Sequence, residues 1–409
     1  MKPFPPLRNI EAIPIEHEGQ TVIYLHDTAG YIEDQVALSL PAFFIAASLD
    51  GAHDTRAIQR DFAHQFEGAK IPEDQIRQVV AFLDEHGFLF SERFQAIRDE
   101  IETVFRRQER RIAHLAGKGY PDNPEELRLF IDKFFSRPGG PGDKPNTTHN
   151  ASPLRGLIVP HIDFERGGHC YAHGYAQLRD MDPPDSVIIF GVAHGGAETP
   201  FALTQKHFDT PFGVIENDRE TVARIERACA WDPYLAEPAH RTEHSIEFQA
   251  VMLGYLFGNK TKIVPILCAA LSNDPHNDSP SEIGEIGRFL DVCREIADAP
   301  GKRVIVVASA DLAHVGNRFG DSFDIDDAII EGVTRRDRED LEHVLACAPD
   351  AFYRAVMRDR NQRKVCGLAC IYAALKTIAA PGRTGELLHY HFAHDPAGGI
   401  VSFASIALR

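Results

Sequence analysis

The chain has 409 residues, with 43 basic against 60 acidic side chains and a formal charge of −17. That length sets an expectation of two domains with ample core, and the acidic balance excludes nucleic acid as a partner, since no basic patch is there to displace counterions from phosphates. No apolar run approaches the roughly 18 residues of a spanning helix, MKPFPPLRNIEAIPIEHEGQ carries no apolar signal core, and seven cysteines without a CxxC pair fit reduced thiols, so a cytoplasmic protein away from membranes is expected.

In chain order, QTVIYLHD alternates as a strand does. Residues 32 to 49 read as a helix broken near Pro41, and DGAHDTRAIQRDFAHQF opens a second helix. A third helix follows from IPEDQIRQVVAFLDEHG, with Pro72 in its first turn and Gly87 as its stop. Together 1–95 form a small winged-helix-like unit. Residues 96–112 are charge-rich and read as a linking helix with a solvated face. The Pro, Gly and Asn of 137 to 153 predict a mobile surface loop inside a second domain, 113–409. From 154 onward, RGLIVPH, DSVIIFGVAH, KIVPILC and KRVIVVASADLAH are β-branched and nearly continuously apolar, as strands buried on both faces are. Helical stretches separate them: CYAHGYAQLRDM, NDRETVARIERACA, SIEFQAVMLGYLF, PSEIGEIGRFLDVCREIA, AFYRAVMRDR and GLACIYAALKTI. This alternation predicts a three-layer α/β/α domain on a mostly parallel or mixed sheet, with ligands beyond the carboxyl ends of the strands.

Three of those strands end in histidine: LIVP-His161, IIFGVA-His194 and VIVVASADLA-His314. Parallel strands share one carboxyl edge, so the rings can converge, and neutral imidazole is a common ligand of first-row metals. Asp311 precedes His314 by three residues, a spacing that suits a carboxylate orienting an imidazole. Glu243 and His244 open an amphipathic helix capped by Thr242 or Ser245, and Glu247 reads equally well as first-turn chemistry. Cys366 stands before a Gly and an apolar helix, where a helix end favours the thiolate. Cys268, Cys293 and Cys370 read as core. Ser309 with Asp311 and His314 is too crowded for a hydrolase triad, no nucleophile elbow appears, and no Gly-rich phosphate loop is present. PHIDFERGG, after the first of those strands, reads as a Gly-rich turn, and His389, His391 and His394 in HYHFAHDPAGG read as a solvated edge strand.

PHIDFERGG, FGVAHGG, TEHSIEFQAVML, ASADLAHVG and VCGLACI, in that order and preceded by AGKGYPDNPEELRLFID, resemble the Memo family, called AmmeMemoRadiSam system protein B in prokaryotes. The resemblance runs from about Ala113 to Arg409. It implies a fold like that of class III extradiol dioxygenases and a pocket in which His161, His194 and Cys366 hold a metal. His314, with Asp311 beside it, matches the pocket histidine that serves acid-base chemistry, and Glu243 and His244 are further candidate catalytic residues. Fe(II) is the expected ion, with copper or zinc as rivals because thiolate softens the donor set. A small-molecule or peptide substrate is expected. Residues 1–95 are similar to PqqD-like peptide-recognition domains, which implies a leader peptide or a radical-SAM enzyme as partner. A non-catalytic peptide- or phosphopeptide-binding module and a copper or iron redox or metal-handling protein are the competing readings. Two departures stand out: Asp163, Glu165 and Arg166 replace the family's uncharged PHAGY.YSG positions, and Ala193-His194-Gly195 replaces SHH.

Overall fold

The computed structural model describes residues 3–17, 19–142, 153–272, 274 and 277–409. Most of the loop expected at 137 to 153 lies outside the described residues. The chain divides into two compact units, Met1–Arg107 and Gln108–Arg409.

In the first unit an antiparallel sheet, β1 (Glu11–His17), β2 (Gln20–His26) and β3 (Val36–Ser39), precedes α1 (Leu40–Ala47), α2 (Thr55–Gln65), α3 (Glu73–Glu85) and α4 (Glu92–Arg107). The broken helix expected over 32 to 49 is a strand followed by a helix. VALS pairs with β2, and Pro41 sits in the first turn of α1, where its missing N–H costs nothing, while Ser39 caps Ala42 N. Leu25, Ile45, Ile58, Ile76, Leu83 and Phe88 form the core. The stretch read as a linking helix is α4 as far as Arg107, with Phe94 and Phe105 of that helix buried, while Arg110–Arg111 at its end form a strand.

The second unit runs β4 (Arg110–Arg111), α5 (Pro124–Ser136), β5 (Gly156–Val159), α6 (Phe164–Tyr175), β6 (Ser186–Val192), β7 (Phe201–Leu203), β8 (His207–Thr210), β9 (Gly213–Asn217), α7 (Arg219–Glu226) and α8 (His244–Phe257). It continues with β10 (Lys262–Cys268), α9 (Gly284–Ala297), β11 (Val304–Ser309), β12 (Asp311–Val315), α10 (Asp327–Leu345), α11 (Pro349–Met357), α12 (Leu368–Ile378), β13 (Gly385–Asp395) and β14 (Gly399–Leu408). Among the described residues these strands make one mixed sheet of 11, with β5, β11, β6 and β10 adjacent and parallel at its centre. Period two explains the layering. Ile188, Phe190 and Val192 of β6 pack with α9, α11 and α12, whereas Val187 and Ile189 pack with α5, α6 and α8. Both faces are covered, which is why these strands read as unbroken apolar runs.

Several expectations are corrected here. KRVIVVASADLAH is two strands: β11 ends at Ser309, the chain turns at Ala310, and β12 runs antiparallel to β14. His314 therefore lies on a second strand rather than at a parallel strand's end. The PHIDFERGG turn is the start of α6, with Asp163 accepting from Arg166 N as its cap. The cap of α8 is Glu243, which accepts from Ser245 N, rather than Thr242 or Ser245. β14, buried along its whole length, and the charge-dense α10 were not among the elements read from the sequence.

Candidate metal centre

The parallel strands deliver the first two ligand candidates. His161 follows β5 by one residue after Val159-Pro160, His194 follows β6 after Ala193, and β11 lies between these strands. Close packing fixes both ends. Gly191 faces the start of α8 so tightly that a Cβ there would stand 2.6 Å from Ile246 Cγ1 and 2.7 Å from Ser245 Oγ. Ser245 Oγ in turn donates to Val192 O at 3.0 Å. Gln249, one turn further on, donates to Pro160 O at 2.9 Å and Ser309 Oγ at 2.7 Å and accepts from Tyr175 at 2.8 Å. Ser309 is thus buried in a framework that locks the β5 and β11 ends to α8, donating to Ser245 O at 2.5 Å.

Cys366 arrives from another direction. Gly367 N donates to Asp311 O at 3.1 Å, and a Cβ on Gly367 would lie 2.4 Å from Ala310 Cβ and 2.6 Å from Asp311 O. Only glycine lets the start of α12 come this close. That approach sets Cys366 Sγ 3.3 Å from His161 Nε2. The ligand atoms of His161, His194 and Cys366 all lie within 4.8 Å of one another.

Hydrogen bonds assign the imidazoles their duties. His161 Nδ1 meets Ser309 O at 3.0 Å, a carbonyl that can only accept, so Nδ1 carries the hydrogen and Nε2 faces Cys366 as a lone pair. Burial, with His194 adding to it, pushes the His161 imidazole down to about 3, so it stays neutral. His194 Nδ1 stands 3.0 Å from Glu243 Oε1, and His194 N donates to Glu243 Oε2 at 2.9 Å. Burial disfavours charge on His194, yet the Glu243 carboxylate and the Cys366 sulfur outweigh it and raise the imidazole well above its ordinary value. Glu243 itself is held well below the carboxylate range: burial opposes its charge, but the His194 charge and hydrogen bond prevail. For Cys366, burial outweighs the hydrogen bond from His194 and pushes the thiol up to about 11, contrary to the expected ready thiolate.

Glu243, His194 and His244 form a second close group, with His244 Nδ1 3.4 Å from Glu243 Oε1 and its ring stacked 4.8 Å from that of His194. The Glu243 oxygens already accept from His194 N, His194 Nδ1 and Ser245 N, so this carboxylate is suited to orienting His194. Burial lowers His244 to about 4. Asp311 was expected beside the His314 ring; its charge acts on His314, while its Oδ1 accepts from His161 N at 3.0 Å and its Oδ2 stands 3.6 Å from His161 Nε2. Burial raises the Asp311 carboxyl. His314 Nδ1 is held by Leu312 O at 3.1 Å and its ring packs edge-on against Phe319, with centroids 5.1 Å apart; burial lowers its value.

Arg111 was hidden in what read as a solvated charge run. It is fully buried and donates to His240 O, Ile112 O, Glu243 O and the Glu247 carboxylate. Glu247 also accepts from His114 N, Leu115 N and Tyr120 Oη, which makes it an anchor rather than part of the centre. The atypical Arg166 pairs with Asp163 at 2.6 Å and with Asp395 at 3.4 Å, while Glu165 is exposed. The donor set of two imidazoles and one sulfur fits a borderline or soft first-row ion: three ligand atoms converge within 4.8 Å, and a cation would displace the protons that His194 and Cys366 carry there.

The family model described as Memo-like protein matches residues 111–407. A MEMO1 family protein of Aquifex aeolicus is 29% identical over 384 residues, covering 92% of this chain and 94% of that protein. One from Methanopyrus kandleri is 31% identical over 72% of this chain and 97% of its own length, and one from Methanococcoides burtonii is 30% identical over 72% and 98%. No helix among the described residues is long and apolar enough to cross a membrane.

Proposed function

The chain belongs to the Memo family, and on that premise we propose that it is a metal-dependent oxidoreductase of dioxygenase-like type whose ion is held by His161, His194 and Cys366. The observation that carries this reading is the convergence of two imidazole nitrogens and a thiol sulfur within 4.8 Å. Fe(II) bound there would supply the dioxygen chemistry, since two imidazoles and one anionic ligand leave coordination positions open.

The chain's own residues do the rest. Glu243 fixes His194 so that Nε2 turns toward the sulfur, as outer carboxylates do for metal-ligating histidines. Ser309 O does the same for His161. His314 has Nδ1 committed to Leu312 O, leaving Nε2 as the acceptor, and its lowered value keeps it neutral near pH 7, the state a general base needs. Asp311 holds the turn that carries His161. The substrate is a small molecule or peptide, and the first unit serves as a PqqD-like grip on a peptide or on a radical-SAM partner.

Metal analysis and oxygen uptake of anaerobically purified wild type and His161→Ala test this together. Iron in the wild type, lost in the variant, with oxygen consumption that follows it, supports the reading. Equal metal content in both removes the site. Tight copper binding that depends on Cys366 with no oxygen uptake favours a metal-handling role, for which the sulfur ligand is the motivating feature.

A further inference from the structure

A second group of histidines lies away from the centre, on the outer side of α6. His169 and His173 are one turn apart on that helix, a spacing that places both side chains on one face. Opposite them β13 carries His389 and His391, two residues apart and therefore also on one face. The His173 and His389 rings stack with centroids 4.6 Å apart and planes within 5°. The His389 and His391 centroids are 6.1 Å apart. The sequence pattern alone assigns His389 and His391 to a solvated edge; β13 is paired with β14, and α6 lies against it.

The hydrogen bonds of the two helical histidines are those of metal ligands. His169 Nδ1 meets Phe134 O at 3.0 Å and His173 Nε2 meets Gly139 O at 2.9 Å. A carbonyl accepts only, so each ring carries its hydrogen on that nitrogen and keeps the other as a lone pair. Ligating histidines characteristically donate their second nitrogen to a backbone carbonyl in this way, which fixes tautomer and ring direction. Burial, reinforced by His173, His391 and His169, lowers His389 to about 4, and burial with His169 also lowers His391, so both remain neutral. Four imidazoles with no acidic side chain paired to them in hydrogen bonds make a nitrogen-only donor surface. Unlike the centre, they are not already gathered on one point: His389 would have to turn off His173, a rotation open to a half-exposed side chain.

We propose that His169 and His173 of α6 together with His389 and His391 of β13 form a second, nitrogen-only site for a borderline divalent cation such as Zn²⁺, Ni²⁺ or Cu²⁺. An HxxxH pair on a helix and an HxH pair on a strand each offer a two-point chelate, and here the two face each other. Imidazole suits these ions and discriminates against Mg²⁺ and Ca²⁺, which take oxygen ligands.

The test uses full-length protein stripped with chelator and titrated with Zn²⁺ by calorimetry and with Co²⁺ by absorption spectroscopy. The background is the double variant His161→Ala and Cys366→Ser, so that failure of the centre does not bear on the outcome. The proposal expects one saturable equivalent in that background, a cobalt spectrum without thiolate charge transfer, and a loss of affinity of about tenfold or more on adding His173→Gln or His391→Gln. His391 is exposed, so His391→Gln keeps the fold and carries the case alone if His173→Gln does not. No saturable binding in the background, binding that survives both histidine variants, or a thiolate band would each overturn it.

Discussion

Glu243 and Glu247 stand one turn apart on α8, both buried, and their surroundings are built on opposite balances. Around Glu247 donors match acceptors: the Arg111 guanidinium, Tyr120 Oη and two backbone N–H groups meet one carboxylate. Beyond Glu243 the partners are exchangeable, because His161 Nε2, His194 Nε2 and Cys366 Sγ are matched only by the protons that His194 and the thiol carry. The first pocket is complete without anything added. The second can give up its two protons to a cation, and that contrast is what separates an anchor from a proposed centre.

Breaking the anchor should have the largest effect. Arg111→Ala leaves the Glu247 charge buried without its partner and should destabilise the protein by about 3–5 kcal/mol, read as a fall in the denaturant midpoint at unchanged slope. Cys366→Ala in metal-free protein should change stability by about 1 kcal/mol or less while abolishing metal binding, since it removes a neutral thiol and leaves the Glu243–His194 pair intact. Equal losses in the two variants would erase the distinction between the pockets.

The anchor also predicts a pH dependence. His240 is buried beside Arg111, and burial lowers it to about 4, against the ordinary 6.5 it regains on unfolding. The unfolded state therefore binds a proton that the folded state refuses between those values. Stability contributed by this residue is full above pH 6.5 and falls by about 3 kcal/mol as pH drops toward 4. Urea melts across that window should show the fall, and His240→Gln should remove its share, leaving that of the likewise lowered His161 and His244.

At the centre, Glu243→Gln keeps the helix cap but weakens the hold on His194, and should lower metal affinity about 10- to 100-fold with the fold intact. Binding of a divalent cation should release about two protons near pH 7, from His194 and from the Cys366 thiol, seen as a buffer-dependent heat in calorimetry. The smallest effect belongs to Asp163→Ala, which removes a helix cap and should cost about 1 kcal/mol without altering metal content.

Much of this was legible in the residues. Strands buried on both faces announce themselves as unbroken β-branched runs, and the histidines after β5 and β6 follow from that reading together with the motif order. The break between β11 and β12 was not, because SADLAH contains no Gly or Pro to mark the turn at Ala310. β3 was absorbed into a helix because VALS is short and Pro41 suggested a break where it marks a start. Arg111 was invisible for a different reason: a buried guanidinium and a solvated one look alike in a charge run, and only its partners some 130 residues away tell them apart. Asp311 acts on His314 electrostatically, as sequence proximity suggests, but the fold also brings His161 N to its carboxylate from 150 residues away.

The central claim is that one sulfur and two imidazole nitrogens bind the same ion. X-ray absorption at the metal edge of iron-loaded protein tests it most directly. The account predicts one sulfur neighbour at about 2.3 Å beside nitrogen neighbours at about 2.0–2.2 Å, with the sulfur gone in Cys366→Ser and the nitrogen shell reduced in His161→Ala. A shell of nitrogen and oxygen alone, unchanged in Cys366→Ser, would contradict it.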